Sequence, residues 1–419
     1  MIDEQKEGRV AVGPIAWRRL LPPDRLRRIA LSTVALNAGL YAIVVARGHF
    51  PFDALSSLVV KDLMGHLTGG ALVNAGRLGS IYDVAAQRAV QVAWTQRPEA
   101  LDLYISPPLV AYLYAPLARL PYGAAAATWT AISIASLALG GALVARAAPL
   151  PRAQRDLVFL LWASSYPLID LLGSGQDTGL SLVLWAGGVL LSLERRDVAS
   201  GLVFSLGLFK PQLFLLPPLV FLLFGRARAL AAWAFGAAAH VGLTLAIFGG
   251  AGVSAWLAIL RSHEYLDSLH TELAPKMTSL MPFGYSLAPP GWGTAGRFAG
   301  GALSLALVAL AAVRCVSAER TSGADERGVW ALAVLTTLIA SPHLFDYDLA
   351  LLIVPVALLW SLEPSPSDRA RLAIAATYVL CWTVPIRLAF LHAPWPACAL
   401  AASFVPVPLL VLWREIAVA

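Results

Sequence analysis

The chain has 419 residues, of which 58% are apolar and only 13% charged, with a mean hydropathy of +0.70. Soluble globular proteins carry about 25% charged residues, so this composition excludes a soluble enzyme and indicates an integral membrane protein. The net charge of +6 gives no sign of nucleic-acid binding, because the basic residues gather at the ends of apolar runs as membrane topology requires. Cys315, Cys381 and Cys398 are too scattered for a disulfide framework or a metal site.

In chain order, residues 1–28 form a basic tail with Arg18, Arg19, Arg25, Arg27 and Arg28, which the positive-inside rule puts in the cytoplasm. The first apolar run, about 29–46, has the length of a span and reads as a retained anchor rather than a cleaved signal. The polar loop at about 48–122 then lies outside. It holds a predicted helix over about 56–75 and an apolar segment at 109–120 that suits an interfacial or re-entrant helix better than a span. Spans follow at about 123–145, 156–172 and 178–193, and two short apolar arms, 199–209 and 212–224, meet at Lys210-Pro211. A span at about 229–248 leads to a second outside loop at 249–296, and the remaining spans fall at about 298–313, 329–340, 349–362, 372–391 and 395–413. The inside loops carry Arg, whereas the outside turns at 173–177, 341–344 and 392–394 carry no Lys or Arg. This predicts one all-α polytopic transmembrane domain over 29–414, with about twelve spans, helices in its extracytoplasmic loops, and both termini in the cytoplasm.

The rare polar groups collect on the outside. Asp62 lies in the loop after the first span, with His66 four residues on and so on the same helix face. A carboxylate at a partly dry membrane surface serves as a general base towards a hydroxyl; the plainer reading is a solvated carboxylate paired with Lys61, and Asp53 is a rival. Gly175-Gln176-Asp177 sits at a span junction, where Gln176 and Asp177 either bind ligand hydroxyls or, for Asp177, cap the helix that follows. Lys210 is flanked by Leu-Gly-Leu-Phe and by Pro-Gln-Leu-Phe. A Lys in such a run faces a cavity, a partner or an interface, and a cation at a broken helix end suits a phosphate; otherwise it snorkels to headgroups. Ser341-Pro342-His343 with Asp346, Tyr347 and Asp348 is the third cluster. Its His suits a leaving phosphate, or a metal shared with the Asp residues, and Asp346 also suits a helix cap. His263, Glu264, His270 and Lys276 form a looser set whose default is a solvated loop. No P-loop and no dinucleotide fingerprint is present, which leaves cytoplasmic nucleotide-driven chemistry without support.

Asp62-Leu63, Ala75-Gly76, Ile81-Tyr82-Asp83 and Ser106-Pro107-Pro108-Leu109, followed by Pro116 and Leu120-Pro121, resemble the front of glycosyltransferase family 87. Gly175-Gln176 with Gly201 and Lys210-Pro211 resembles its middle, and Ser341-Pro342-His343 with Asp346 and Tyr347 its closing motif. The resemblance implies a GT-C-like bundle in the bacterial inner membrane. It implies transfer of a sugar, typically mannose, from a polyprenyl phosphate to a lipid or glycan acceptor on the extracytoplasmic face, with inversion and no cofactor. Asp62 takes the place of the family's first-loop Asp as base. Lys210, His343 and Lys276 are then expected at the donor phosphate, with His66, Gln176, Asp177, Asp346 and Tyr347 around the substrates and no metal required. Met64-Gly65-His66-Leu67 and Asp177-Thr178 depart from the family's pattern. The rival readings are a lipid-linked sugar flippase, which would hold its substrate near the midplane, and a polymerase or ligase acting on a polyprenyl-diphosphate glycan.

Overall fold

The computed structural model describes residues 22–97, 101–270, 276–320, 325–363, 365–390, 394–395 and 397–418. The tail expected at 1–28 therefore lies mostly outside the described residues. What is described is helical: α1 (Pro23–Ala46), α2 (Lys61–Asn74), α3 (Val84–Thr95), α4 (Val110–Tyr114), α5 (Tyr122–Ala147), α6 (Arg152–Ala163), α7 (Tyr166–Ser174), α8 (Thr178–Leu193), α9 (Asp197–Leu206), α10 (Pro211–Phe214), α11 (Leu216–Leu223), α12 (Ala227–Ile259), α13 (His263–His270), α14 (Leu280–Leu287), α15 (Gly293–Arg320), α16 (Glu326–Ala340), a 3-10 turn (Asp346–Leu352), α17 (Ile353–Trp360), α18 (Asp368–Cys381), α19 (Val384–Ala389), α20 (Ala397–Ala402) and α21 (Pro406–Val418).

Four of these, α1, α5, α12 and α15, are long and apolar enough to cross a membrane, and α6 with α7 makes a fifth if the pair is one span. That pair is bent by 48° where Ser164-Ser165 precede Pro167, which has no N–H to continue the ladder. Only 6% of the apolar window of α1, 17% of that of α12 and 22% of that of α15 is buried inside the chain. Such surfaces fit a hydrocarbon surround, where an unpacked Leu loses nothing. α16 is the opposite case. Every residue from Val329 to Ile339 is buried, so this helix is apolar all round and enclosed all round. Trp330 stacks on Phe204 at 5.2 Å and meets Phe221 edge-on at 5.8 Å. At the cytoplasmic end predicted from charge, the buried Arg226 guanidinium donates to the Ser192 carbonyl (2.9 Å), Asp197 (2.9 Å) and Glu326 (2.7 Å), which ties α8, α9, α12 and α16 together.

The long loop after α1 departs from the sequence expectation in two places. The helix expected over 56–75 begins only at Lys61, because Val60 takes a left-handed conformation (φ 58°), which is costly for a β-branched residue. Upstream, Asp53 Oδ1 accepts from the N–H groups of Leu55 and Ser57 at 2.8 and 2.9 Å, so the rival carboxylate is engaged in its own turn. Segment 109–120 forms only α4 and the turn Leu117–Arg119. The break at Lys210 is present: α9 runs into a 3-10 turn, Gly207–Phe209, and α10 starts at Pro211.

Candidate active site

Asp62 stands in the first turn of α2. The strained Val60 two residues ahead is fixed from both sides. Tyr122 donates its hydroxyl proton to the carbonyls of Val59 (2.6 Å) and Val60 (3.2 Å). Gly175 packs so close to the Val60 side chain that a Cβ there would fall 2.1 Å from Cγ1. Gly175 also has φ 79° as the left-handed residue that ends α7, so two independent demands select glycine. Trp129 donates its indole N–H to the Gly175 carbonyl at 2.7 Å. The turn so pinned brings Gln176 onto Asp62: Nε2 donates to Oδ2 at 2.6 Å.

Asp177 and Lys210 lie one step deeper. The Asp177 side chain makes no capping bond to α8; the capping reading gives way to an ion pair, Lys210 Nζ to Asp177 Oδ1 at 2.7 Å. Nζ also reaches Asp348 Oδ1 (3.2 Å) and Thr178 Oγ1 (3.1 Å), and Thr178 donates to that same Asp348 oxygen at 2.6 Å. A Lys with two carboxylates on it is already neutralised. It ties the start of α8 and the turn at 346–352 to the broken helix. Tyr347 lies under Nζ, 5.4 Å from ring to charge. Asp346 is fully buried and receives Arg387 at 2.7 Å.

The remaining polar groups are less enclosed. The Asp62, His66 and His343 side chains are half-buried. His66 stacks on Tyr114 at 4.4 Å, and Tyr114 donates towards Asp177 Oδ2 at 3.5 Å. Burial lowers the His66 imidazole below its ordinary value, against the opposing charges of Asp177 and Asp62. His343 Nδ1 faces the Tyr265 hydroxyl at 3.1 Å. Burial takes its pKa down to about 4, helped by the charges of Lys210 and Arg297, so it is neutral at physiological pH. Lys276 lies 3.6 Å from Asp170 with its side chain 31% exposed. Asp62, Asp170, Asp177 and Asp348 all act electrostatically on Tyr347, so these groups share one neighbourhood. Among the described residues no three of His, Cys, Asp and Glu gather as a metal site. The side chain of His270 lies outside the described residues.

The site thus divides into enclosed ion pairs (Lys210 with Asp177 and Asp348, Arg387 with Asp346) and an open rim carrying Asp62, His66, His343 and Lys276. Rim carboxylate, amide partner and the Lys276 ammonium together suit transfer onto a hydroxyl with an anionic leaving group. The family model of Glycosyltransferase family 87 matches residues 104–342. The chain belongs to glycosyltransferase family 87. It is therefore a glycosyltransferase with apolar helices fit for a membrane. No curated protein and no solved structure matches it. The family 87 match includes Gln176, Asp177, Lys210 and Lys276 but begins after Asp62 and His66 and stops one residue short of His343.

Sequence reasoning does not single out Asp170, Arg387 or Asp102. The first two carry a usable signal, an ionisable residue inside an apolar run. Asp102 carries none, since a carboxylate in a polar loop has no contrast with its surroundings.

Proposed function

We propose that this family 87 chain moves a sugar, mannose in the first instance, from a polyprenyl phosphate to a hydroxyl of a lipid or glycan acceptor. The reaction takes place on the extracytoplasmic face of the bacterial inner membrane, in a bundle of about twelve spans with both termini cytoplasmic. The observation that carries the reading is Asp62: a half-buried carboxylate at the head of a loop helix, with one oxygen held by Gln176 at 2.6 Å.

The acceptor oxygen attacks the anomeric carbon from the face opposite the phosphate. The carbon–oxygen bond to phosphate breaks and its electron pair leaves with polyprenyl phosphate. The acceptor's proton passes to Asp62, and the configuration inverts. Phosphate is a competent leaving group, so the protein mainly supplies position, a base and charge compensation. Lys276, with 31% of its side chain exposed against 12% for Lys210, is the more open of the two lysines expected at the donor phosphate. His343, neutral, donates from Nε2 when Nδ1 accepts the Tyr265 proton. Lys210 acts behind them as a brace, and His66 and Gln176 line the acceptor side.

The test is transfer by purified protein in nanodiscs, given synthetic polyprenyl-phosphate mannose and bacterial envelope lipids. Activity in wild type that is lost by at least about a hundredfold in a folded Asp62→Asn variant is expected. Undiminished transfer by that variant overturns the assignment of the base. Translocation of a lipid-linked sugar without transfer would favour a flippase.

A further inference from the structure

Two buried glutamines on α3 do unusual work. Gln91 pairs with both backbone groups of Asp102: its Oε1 accepts the Asp102 N–H at 2.9 Å and its Nε2 donates to the Asp102 carbonyl at 2.6 Å. Gln87 does the same for Tyr104, accepting its N–H at 2.8 Å and donating to its carbonyl at 3.3 Å. Residues four apart on a helix are separated by about 6 Å, and alternate residues of an extended chain by about 6.6 Å. The two amides thus form a ladder that holds segment 101–104 extended, with the side chains of 102 and 104 on one side.

That side meets α2. Asp102 Oδ2 accepts the Gly65 N–H at 3.0 Å. A Cβ on Gly65 would fall 2.6 Å from that oxygen, and one on Gly69 2.7 Å from the Tyr104 ring. The glycines admit the segment, and the segment brings a carboxylate to the turn of α2 that carries Asp62, three residues before Gly65. We propose that Asp102 is a positioning residue for Asp62: held by the glutamine ladder and anchored on the Gly65 N–H, its carboxylate fixes the turn of α2 on which Asp62 stands. This rests on the reading of Asp62 as the base. It also gives Gly65 a role in the stretch where the chain departs from the family's pattern.

The groups facing Asp102 are Lys61 and Asp62 on α2 and Tyr122 at the head of α5, while α3 presents the uncharged Gln87 and Gln91. Burial, reinforced by the Asp62 charge and opposed by Lys61 and the Gly65 N–H, takes the Asp102 carboxyl up to about 7. Above that pH Asp102 is ionised and its bond from the Gly65 N–H is charge-assisted; below it the carboxyl is protonated and the bond weakens.

The test is the pH dependence of kcat in Asp102→Asn, whose amide oxygen can still accept from Gly65. Wild type is expected to show a rise near neutral pH that the variant lacks. The variant's kcat should fall about tenfold, the scale of replacing a charge-assisted hydrogen bond by a neutral one, with KM for both substrates within about twofold. A profile that keeps the wild-type shape, whatever its height, overturns the proposal. If Asp102→Asn does not fold, the coupling of Asp102 to the turn that carries Asp62 is read in Asp62→Asn from melting temperature against pH. The step that belongs to Asp102 must move to lower pH, and an unmoved step overturns the proposal. Full transfer by Asp62→Asn would instead remove the base assignment, a separate outcome that the melting experiment does not depend on.

Discussion

Gln176 and Asp62 lie 114 residues apart in sequence, yet Nε2 and Oδ2 meet at 2.6 Å. The amide thus holds one carboxylate oxygen and fixes the direction of the other. A charge-assisted bond of this kind contributes about 1.5–3 kcal/mol. Gln176→Leu is therefore expected to lower kcat by about tenfold to a hundredfold, with KM for the donor little changed. A donor KM that rises while kcat holds would mean that Gln176 binds substrate instead of holding the base.

Lys210 tests the division between brace and ligand. Replacing it by Met leaves Asp177 and Asp348, 1% and 2% exposed in their side chains, without their cation. Breaking a buried pair by removing one partner costs about 3–5 kcal/mol. Lys210→Met should lose much of its melting stability in detergent, and adding Asp177→Asn with Asp348→Asn should recover part of it. If the single variant melts like wild type but binds donor poorly, Lys210 is a phosphate ligand.

The break at Lys210-Pro211 was readable because a Lys and a Pro interrupt an apolar run, and Asp62 was a candidate from its place in the loop after the first span. Their partners were not readable. Lys210 meets Asp348 across 138 residues, and nothing near Lys210 says which carboxylate reaches it. The start of α2 was misplaced by about five residues. Val60 looks like a helix or strand residue in sequence, and only Tyr122 and Gly175 acting from other elements hold it left-handed. Asp102 stayed hidden for the same reason, since its position depends on two glutamines of α3 that read as polar helix surface. Asp170 and Arg387 had sequence contrast, but their ion partners Lys276 and Asp346 are supplied by the fold.

His343 gives a pH prediction with a definite sign. Its folded value is about 4 against an ordinary 6.5, so the folded chain favours the neutral ring. Between those values the unfolded state takes up a proton that the folded state refuses, and stability is lost as pH falls from 6.5 towards 4. Asp102, raised to about 7, acts in the opposite sense, losing stability as pH rises towards 7. The clean readout is thus the difference between wild type and His343→Gln. Wild type should lose melting temperature relative to the variant as the buffer goes from pH 7 to 4.5, and a constant difference would show that the ring does not titrate as its burial requires.

The pair of Lys276 and Asp170 separates a phosphate ligand from a structural bridge. At 3.6 Å, with 31% of the Lys and 11% of the Asp side chain exposed, the contact is loose and half-wet. Such a pair contributes about 1 kcal/mol at most. It holds Lys276 close to Asp62's neighbourhood while leaving its charge partly free. If that charge meets the donor phosphate, Lys276→Ala should raise donor KM by about tenfold and Lys276→Arg should restore most of the loss, since a guanidinium also serves a phosphate. Asp170→Asn should then act the other way. Relieved of its carboxylate, Lys276 has more charge to offer, and donor KM should fall. Were the pair only a bridge, Lys276→Ala and Asp170→Asn would both leave donor KM alone and shift melting temperature together. Steady-state kinetics against donor concentration in the three variants, beside their melting curves, decides between the two.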